Sequence, residues 1–119
     1  MLRKTVIVAA ALVGVFASAP SQAQLAIAFD PSTGRAVAFA GTTDAARNQR
    51  EAISSCGSGC KIVATGKRTC AAVSESISTG GSVWAVGHGT TTSVAAQNAY
   101  HACRGKGGVN CKTAASICD

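Results

Sequence analysis

Six cysteines, Cys56, Cys60, Cys70, Cys103, Cys111 and Cys118, constrain this 119-residue chain more than any other feature. In a short exported chain an even number of cysteines reads as a disulfide framework, whereas in the cytosol it would suggest metal binding or catalysis. The N-terminus decides between these. Arg3 and Lys4 form a basic start, Thr5 to Ala17 is an apolar run of secretory length, and Ser18 to Ala23 is small and polar. This pattern is that of a signal peptide spanning residues 1–23. Ser21 and Ala23 place small residues at the third and first positions before a cut after Ala23, while a cut after Ala19 would put Pro20 just beyond the bond. The apolar run is shorter than the roughly 20 residues a bilayer span needs, so no membrane anchor is expected. The expected destination is the periplasm or the medium, with residues 24–119 as one exported domain.

That domain needs staples. It holds 18 Ala but only 13 Leu, Ile and Val, together with Phe29, Phe39, Trp84 and Tyr100. A small chain whose apolar residues are mostly Ala has a thin core and relies on covalent cross-links. Its charge is mild: the whole chain carries +6, and removal of Arg3 and Lys4 with the signal peptide leaves +4.

The exported part is one unit written twice. A shift of 47 residues superposes Ala38 on Ala85, Thr43 on Thr90, Ala52 on Ala99 and Cys56 on Cys103. A shift of 46 superposes Ser32-Thr33-Gly34 on Ser78-Thr79-Gly80. Two copies, about 25–72 and 73–119, make a pseudo-symmetric domain; a solenoid would need three or more. Leu25 to Phe29 and Arg35 to Ala40 alternate large and small side chains around an Asp-Pro-Ser-Thr-Gly turn, which gives two strands whose Ala face admits a helix. From Thr43 to Cys56 the period becomes helical, with Ala45, Ala46, Gln49, Ala52, Ile53 and Cys56 expected inward and Arg47, Asn48, Arg50, Glu51 and Ser54 outward. Thr42 or Thr43 is the expected cap, with Asp44 in the first turn. Lys61 to Thr65 and Thr69 to Ile77 read as strands around a turn at Thr65 to Arg68. The second copy gives a strand at Val83 to Gly87, a helix from Thr92 to Cys103 with Ala96, Ala99, Tyr100 and Cys103 inward, and a closing strand or strands from Val109 to Cys118. The fold class is therefore α+β: two pseudo-symmetric β-β-α-β units, an antiparallel sheet and two Ala-rich helices.

The cysteine spacings lack the paired Cys-x-x-Cys pattern of zinc ribbons and redox motifs, so structural disulfides are expected, with neither metal nor catalytic thiol. Of the fifteen possible connectivities, fewer than half respect the internal two-fold. If the segments after Cys60 and Cys111 are extended, Cys60 and Cys70, or Cys111 and Cys118, stand a strand length apart, beyond disulfide reach unless a turn intervenes. A turn at Thr65 to Arg68 puts Cys70 opposite Thr65 instead. The favoured set is Cys56–Cys60, Cys103–Cys111 and Cys70–Cys118, the last across the pseudo-axis and closing a ring of about 49 residues, worth about 4 kcal/mol in the chain-entropy model.

Several of these segments together resemble a known family. Ala26-Ile27-Ala28-Phe29 followed by Pro31-Ser32-Thr33-Gly34, a helix closing on Cys56, Cys60-Lys61-Ile62-Val63, Cys70-Ala71-Ala72-Val73, Trp84-Ala85-Val86-Gly87, and a second helix closing on Cys103 before Cys111-Lys112 and Cys118 are similar to the bacterial exported domain of unknown function 4189. The resemblance covers essentially the whole exported part. It implies a small exported α+β domain, sometimes linked to host interaction, and supplies no catalytic residues. This chain is poorer in aromatics around Val37 to Ala40 and Ile62 to Arg68 than its relatives.

Candidate chemistry is sparse. His88, in a Gly-His-Gly setting after the Val83 to Gly87 strand, is the best placed residue for acid-base work, with Gly41 as its counterpart in the first copy. His101 lies on the helix away from Cys103. Lys67-Arg68 and Arg104/Lys106 lack the neighbouring aromatics that nucleic-acid binding uses, so a nucleic-acid partner is not expected. Gly105-Lys106-Gly107-Gly108 follows a helix and lacks the ending of a phosphate loop. Trp84 is placed equally well in the core or on a contact surface. The expected function is a monomeric, disulfide-stabilised, cofactor-free module that binds an unidentified protein partner of host or envelope, through exposed helix arginines Arg47, Arg50 and Arg104. The readings from other classes are a small basic hydrolase of ribonuclease type using His88, and a structural envelope protein.

Overall fold

A computed structural model describes residues 24–78 and 81–119. The signal-peptide reading of residues 1–23 and the Thr79-Gly80 part of the repeat lie outside them. The first unit consists of β1 (Leu25–Asp30), β2 (Arg35–Phe39), α1 (Ala45–Cys56) and β3 (Lys61–Gly66). The second repeats the order with β4 (Cys70–Ser78), β5 (Gly81–Gly89), α2 (Thr92–Gly105) and β6 (Lys112–Cys118). Each unit builds its own three-stranded antiparallel sheet, β2-β1-β3 and β5-β4-β6, with its first strand in the middle. The fold is α+β.

Period-two alternation sorts the side chains into layers. Leu25, Ile27 and Phe29 on one face of β1 meet Ala71 and Val73 on β4, so the two sheets share one core between them. On the other faces, Ala26 and Ala28 pack against Ala52 and Cys56 of α1, and Cys70 and Ala72 against Ala95 and Ala99 of α2. The order of layers is helix, sheet, sheet, helix. Full burial of Phe29, Leu25 and Ile27 contributes about 1.5–3 kcal/mol each. Small residues on the outer faces let the helices come close, most of all at Gly87, where a methyl group would run into the α2 backbone at Ala95, Asn98 and Ala99.

Both units carry a β-bulge: the register shifts between Ile27 and Ala28 in the first sheet and between Val73 and Ser74 in the second. Superposed on these bulges, Ile27 matches Val73, Phe29 matches Glu75 and Lys61 matches Lys112.

The turn expected to fold β4 back beside β3 is a crossing from one sheet to the other. β3 pairs with β1, and β4 already has β5 and β6 on its two sides. Arg68 takes a left-handed φ of 56° in this crossing, and its N–H donates to Asp119 Oδ2 at 2.7 Å. Cys70 therefore opens the second unit. The disulfide Cys70–Cys118 joins facing residues of neighbouring strands β4 and β6 rather than spanning the pseudo-axis. The other two bonds, Cys56–Cys60 and Cys103–Cys111, tie each helix end to the strand or loop that follows it, and no described cysteine is free.

The helices are rotated from their expected settings. Asp44, not Thr42 or Thr43, caps α1, because its carboxylate accepts from the Ala46 and Arg47 N–H groups while Thr42 is taken up by Asn48. The buried line of α1 is Asn48, Ala52 and Cys56, and Ile53 is 39% exposed. Asn48, expected outward, is fully buried and fully engaged: its Nδ2 donates to the carbonyls of Gln24 and Thr42, and its Oδ1 accepts from the Thr42 N–H and hydroxyl. In α2 the buried line is Ala95, Ala99 and Cys103, which leaves Tyr100, expected inward, 37% exposed. The closing segment is one strand, β6.

Candidate functional site

The exposed faces of the two helices carry the arginines singled out from the sequence, and the layer order separates them. Arg47 and Arg50 are exposed on α1, outside the first sheet, and Arg104 is exposed on α2, outside the second. The three do not form one patch. Around Arg104 the residues do assemble: its guanidinium lies 5.7 Å from the Tyr100 ring centroid, and its Nη1 donates to the Tyr100 hydroxyl at 2.9 Å. The His101 ring meets Tyr100 edge-on at 5.6 Å. This aromatic and cationic cluster follows from i, i+4 spacing on the helix surface.

His88 lies inside strand β5, not in a loop after it. Its ring sits over the gap between the sheets, with Nε2 3.1 Å from the Thr65 carbonyl of β3. A carbonyl oxygen only accepts, so Nε2 carries the proton. The backbone carbonyl of His88 accepts from Asn98 Nδ2 at 2.7 Å. Trp84, four residues earlier on the same face, is half-buried: its ring tilts against Phe29 at 5.3 Å on the core side, and Lys106 Nζ lies 5.4 Å from the ring centroid while donating to the Trp84 carbonyl at 3.0 Å.

Two carboxylates stand out. Glu75, matched to Phe29 by the repeat, is 5% exposed, and its Oε1 has no hydrogen-bond partner among the described residues. Burial raises its pKa, and the opposite charge of Lys112 on the neighbouring strand partly offsets the rise. Asp30 is half-buried and its carboxylate is held below the usual range by the hydroxyl and N–H of Ser32, with a smaller contribution from Thr33. It flanks a groove of about 400 Å³ between the Asp30 to Arg35 turn and the Cys56 to Gly59 loop.

The sequence reading placed Asn48 outward, offered Glu75 only as a carboxylate beside the histidines of a ribonuclease-type hydrolase, and passed over this groove. The repeat itself held a signal for the first: a shift of 47 puts Asn48 on Ala95, one turn before Ala52 and Ala99. Glu75 was visible as the lone acid in a strand of small and apolar residues. The groove depends on a loop and a turn meeting in space, which spacing alone does not encode. Among the described residues no cluster of three metal-ligating side chains occurs, and no helix is long and apolar enough to cross a membrane.

A family model with the description "Domain of unknown function (DUF4189)" matches residues 25–118. No curated protein and no solved structure matches the chain.

Proposed function

From the premise that the chain belongs to the domain of unknown function (DUF4189) family, we propose that it is an exported, disulfide-clamped module that binds a protein partner through its exposed helix faces. The observation that carries the reading is the Tyr100–Arg104 pair, an aromatic ring and a guanidinium held together on the outer face of α2 before any partner arrives. Tyr and Arg are the residue types that most often dominate interface energies, and fixing them beforehand lowers the entropy cost of association. Arg47 and Arg50 give α1 a second cationic surface on the opposite side. Cleavage near Ala23 would release the domain into an oxidising compartment, periplasm or medium, where three disulfides persist. The domain acts as a monomer and uses no cofactor, and its mild positive charge suits an acidic protein surface better than nucleic acid.

The test is capture of a partner from periplasmic and host extracts on the immobilised, oxidised domain, followed by on-rate measurement with the captured protein. Arg104→Glu should weaken binding and the wild-type on-rate should fall with salt. The combined variant Arg47→Glu/Arg50→Glu reports whether the same partner also reads α1. Unchanged binding in both charge-reversal variants would overturn the reading. Turnover of an RNA, peptide or glycan substrate abolished by His88→Ala would replace it with a hydrolase, and quantitative fractionation with the envelope in the absence of a soluble partner would replace it with a structural role.

A further inference from the structure

The groove beside Asp30 joins two charges of opposite sign that do not serve each other. Asp30 and Arg35 are cross-strand neighbours at the turn end of the β1–β2 hairpin, and both line the groove. The hydrogen bonds that hold the carboxylate below its usual range come from Ser32 and Thr33. Ser32 uses both its N–H and its hydroxyl on Asp30 Oδ1, at 2.9 and 2.7 Å. Oδ2 is left facing Gly59, where any side chain would run into it.

The loop at Gly59 is also where α1 ends. The last carbonyls of a helix lack intrahelical partners and carry its negative end. α2 meets that end with Arg104 in its last turn, whereas α1 has no basic residue in its last turn. One side of the groove is therefore negative, built from Asp30 Oδ2 and the carboxyl end of α1, and the exposed guanidinium of Arg35 supplies the positive side.

We propose that this groove binds a small zwitterion of the α-amino-acid class, with its ammonium group on Asp30 Oδ2 and the end of α1 and its carboxylate on Arg35. A ligand with a single charge would answer only half of the site, and charge-assisted hydrogen bonds to both groups are what distinguish a zwitterion from its parts. The volume of about 400 Å³ lies in the range of small-molecule sites and exceeds what one amino acid fills, so discrimination rests on the two charges rather than on a tight side-chain pocket. The site is independent of the helix-face reading: either can fail while the other stands.

The experiment is titration of the ¹⁵N-labelled, oxidised domain with glycine, ethylamine and acetate, followed by amide shifts. Glycine should move the amides of Arg35, Gly57, Ser58 and Gly59 saturably, and ethylamine and acetate should each bind about tenfold or more weakly. Asp30→Asn, whose amide oxygen still accepts from Ser32 and so preserves the turn, and Arg35→Gln should each weaken glycine by about tenfold. His101→Ala should leave it unchanged. Absence of saturable shifts with glycine, ethylamine binding as tightly as glycine, or binding indifferent to Arg35→Gln would each overturn the proposal.

Discussion

The two β-β-α-β units share a topology and a bulge and hold their helices by different means. In the first, α1 is anchored by a polar network: Asn48 ties the helix to the Gln24 and Thr42 backbone, and the Phe39 ring covers Gly41 beside it. In the second, the position of Asn48 is taken by Ala95, and α2 lies directly on the backbone of β5 at Gly87 and Gly89. The second unit also has the greater covalent reinforcement, with Cys70–Cys118 across β4 and β6 as well as Cys103–Cys111, against Cys56–Cys60 alone in the first. On the bulge superposition, the positions of Cys70 and Cys118 fall on Gln24 and Lys67. One plan is thus secured by hydrogen bonds across a side-chain gap, and again by backbone contact locked with sulfur.

The largest test of this contrast is removal of the staples one at a time. Replacing Cys70 and Cys118 together with Ser should cost about 4 kcal/mol, because the bond closes the longest loop, whereas the same change at Cys56 and Cys60 should cost about 2 kcal/mol. Denaturant midpoints of the two variants measure the difference. Equal losses would show that the second unit does not depend more heavily on its sulfur.

Next comes the backbone contact. Gly87→Ala places a methyl group against helix backbone, which cannot swing aside, and should cost about 3 kcal/mol by the usual scale of overpacking. Gly41→Ala in the first unit meets only the far edge of the Phe39 ring, which can turn away, and should cost well under half as much. Asn48→Ala should cost about 2 kcal/mol, since it leaves the Thr42 N–H and the two carbonyls to find water or go unpaired. Thermal unfolding of the three variants orders them, and an Asn48→Ala protein as stable as the wild type would mean that α1 is held by its Ala face alone.

Much of this was legible in the residues. The alternation in Leu25 to Phe29 gives a strand with one large face and one Ala face, and the structure uses both, one for the shared core and one for α1. The chain order of strands and helices could also be read directly. The number of sheets could not, because antiparallel strands joined by a short connection look the same whether the chain turns back or crosses over; the choice is made by which edges of β1 and β4 are already paired. Helix rotation was misread for a related reason. In Ala-rich helices the hydrophobic stripe is faint, so Ile53 and Tyr100 pulled the expected inner face around, while Asn48 could go inside only because backbone groups of two other segments were waiting for it. His88 was placed outside its strand since glycines flank it, and in the structure those glycines serve the approach of α2.

The smallest effect concerns Glu75, the one place where the shared core breaks the repeat by setting an acid against Phe29. Its carboxylate reaches toward Gly34, whose φ of 78° and missing side chain leave room for it: a Cβ there would stand 2.7 Å from Oε1. Burial raises its pKa above the ordinary 4.5 and Lys112 offsets part of the rise. A carboxyl group with a raised folded-state pKa holds its proton more tightly in the native chain than in the unfolded one. The native state is therefore favoured while Glu75 is protonated, and stability falls as pH rises from the ordinary value through the raised one. Asp30 has the opposite sign in a separate window: its contribution is present above 3.8 and is lost as pH falls through its lowered value. Glu75→Gln keeps the shape and removes the charge, so it should raise the melting temperature at neutral pH and flatten the decline above pH 4.5, while leaving the acid limb set by Asp30 in place. Lys112→Met should steepen the same decline by removing the compensating charge. Parallel melting curves for the wild type and Glu75→Gln across that range would show that water reaches the carboxylate and that the core tolerates the break in its repeat without cost.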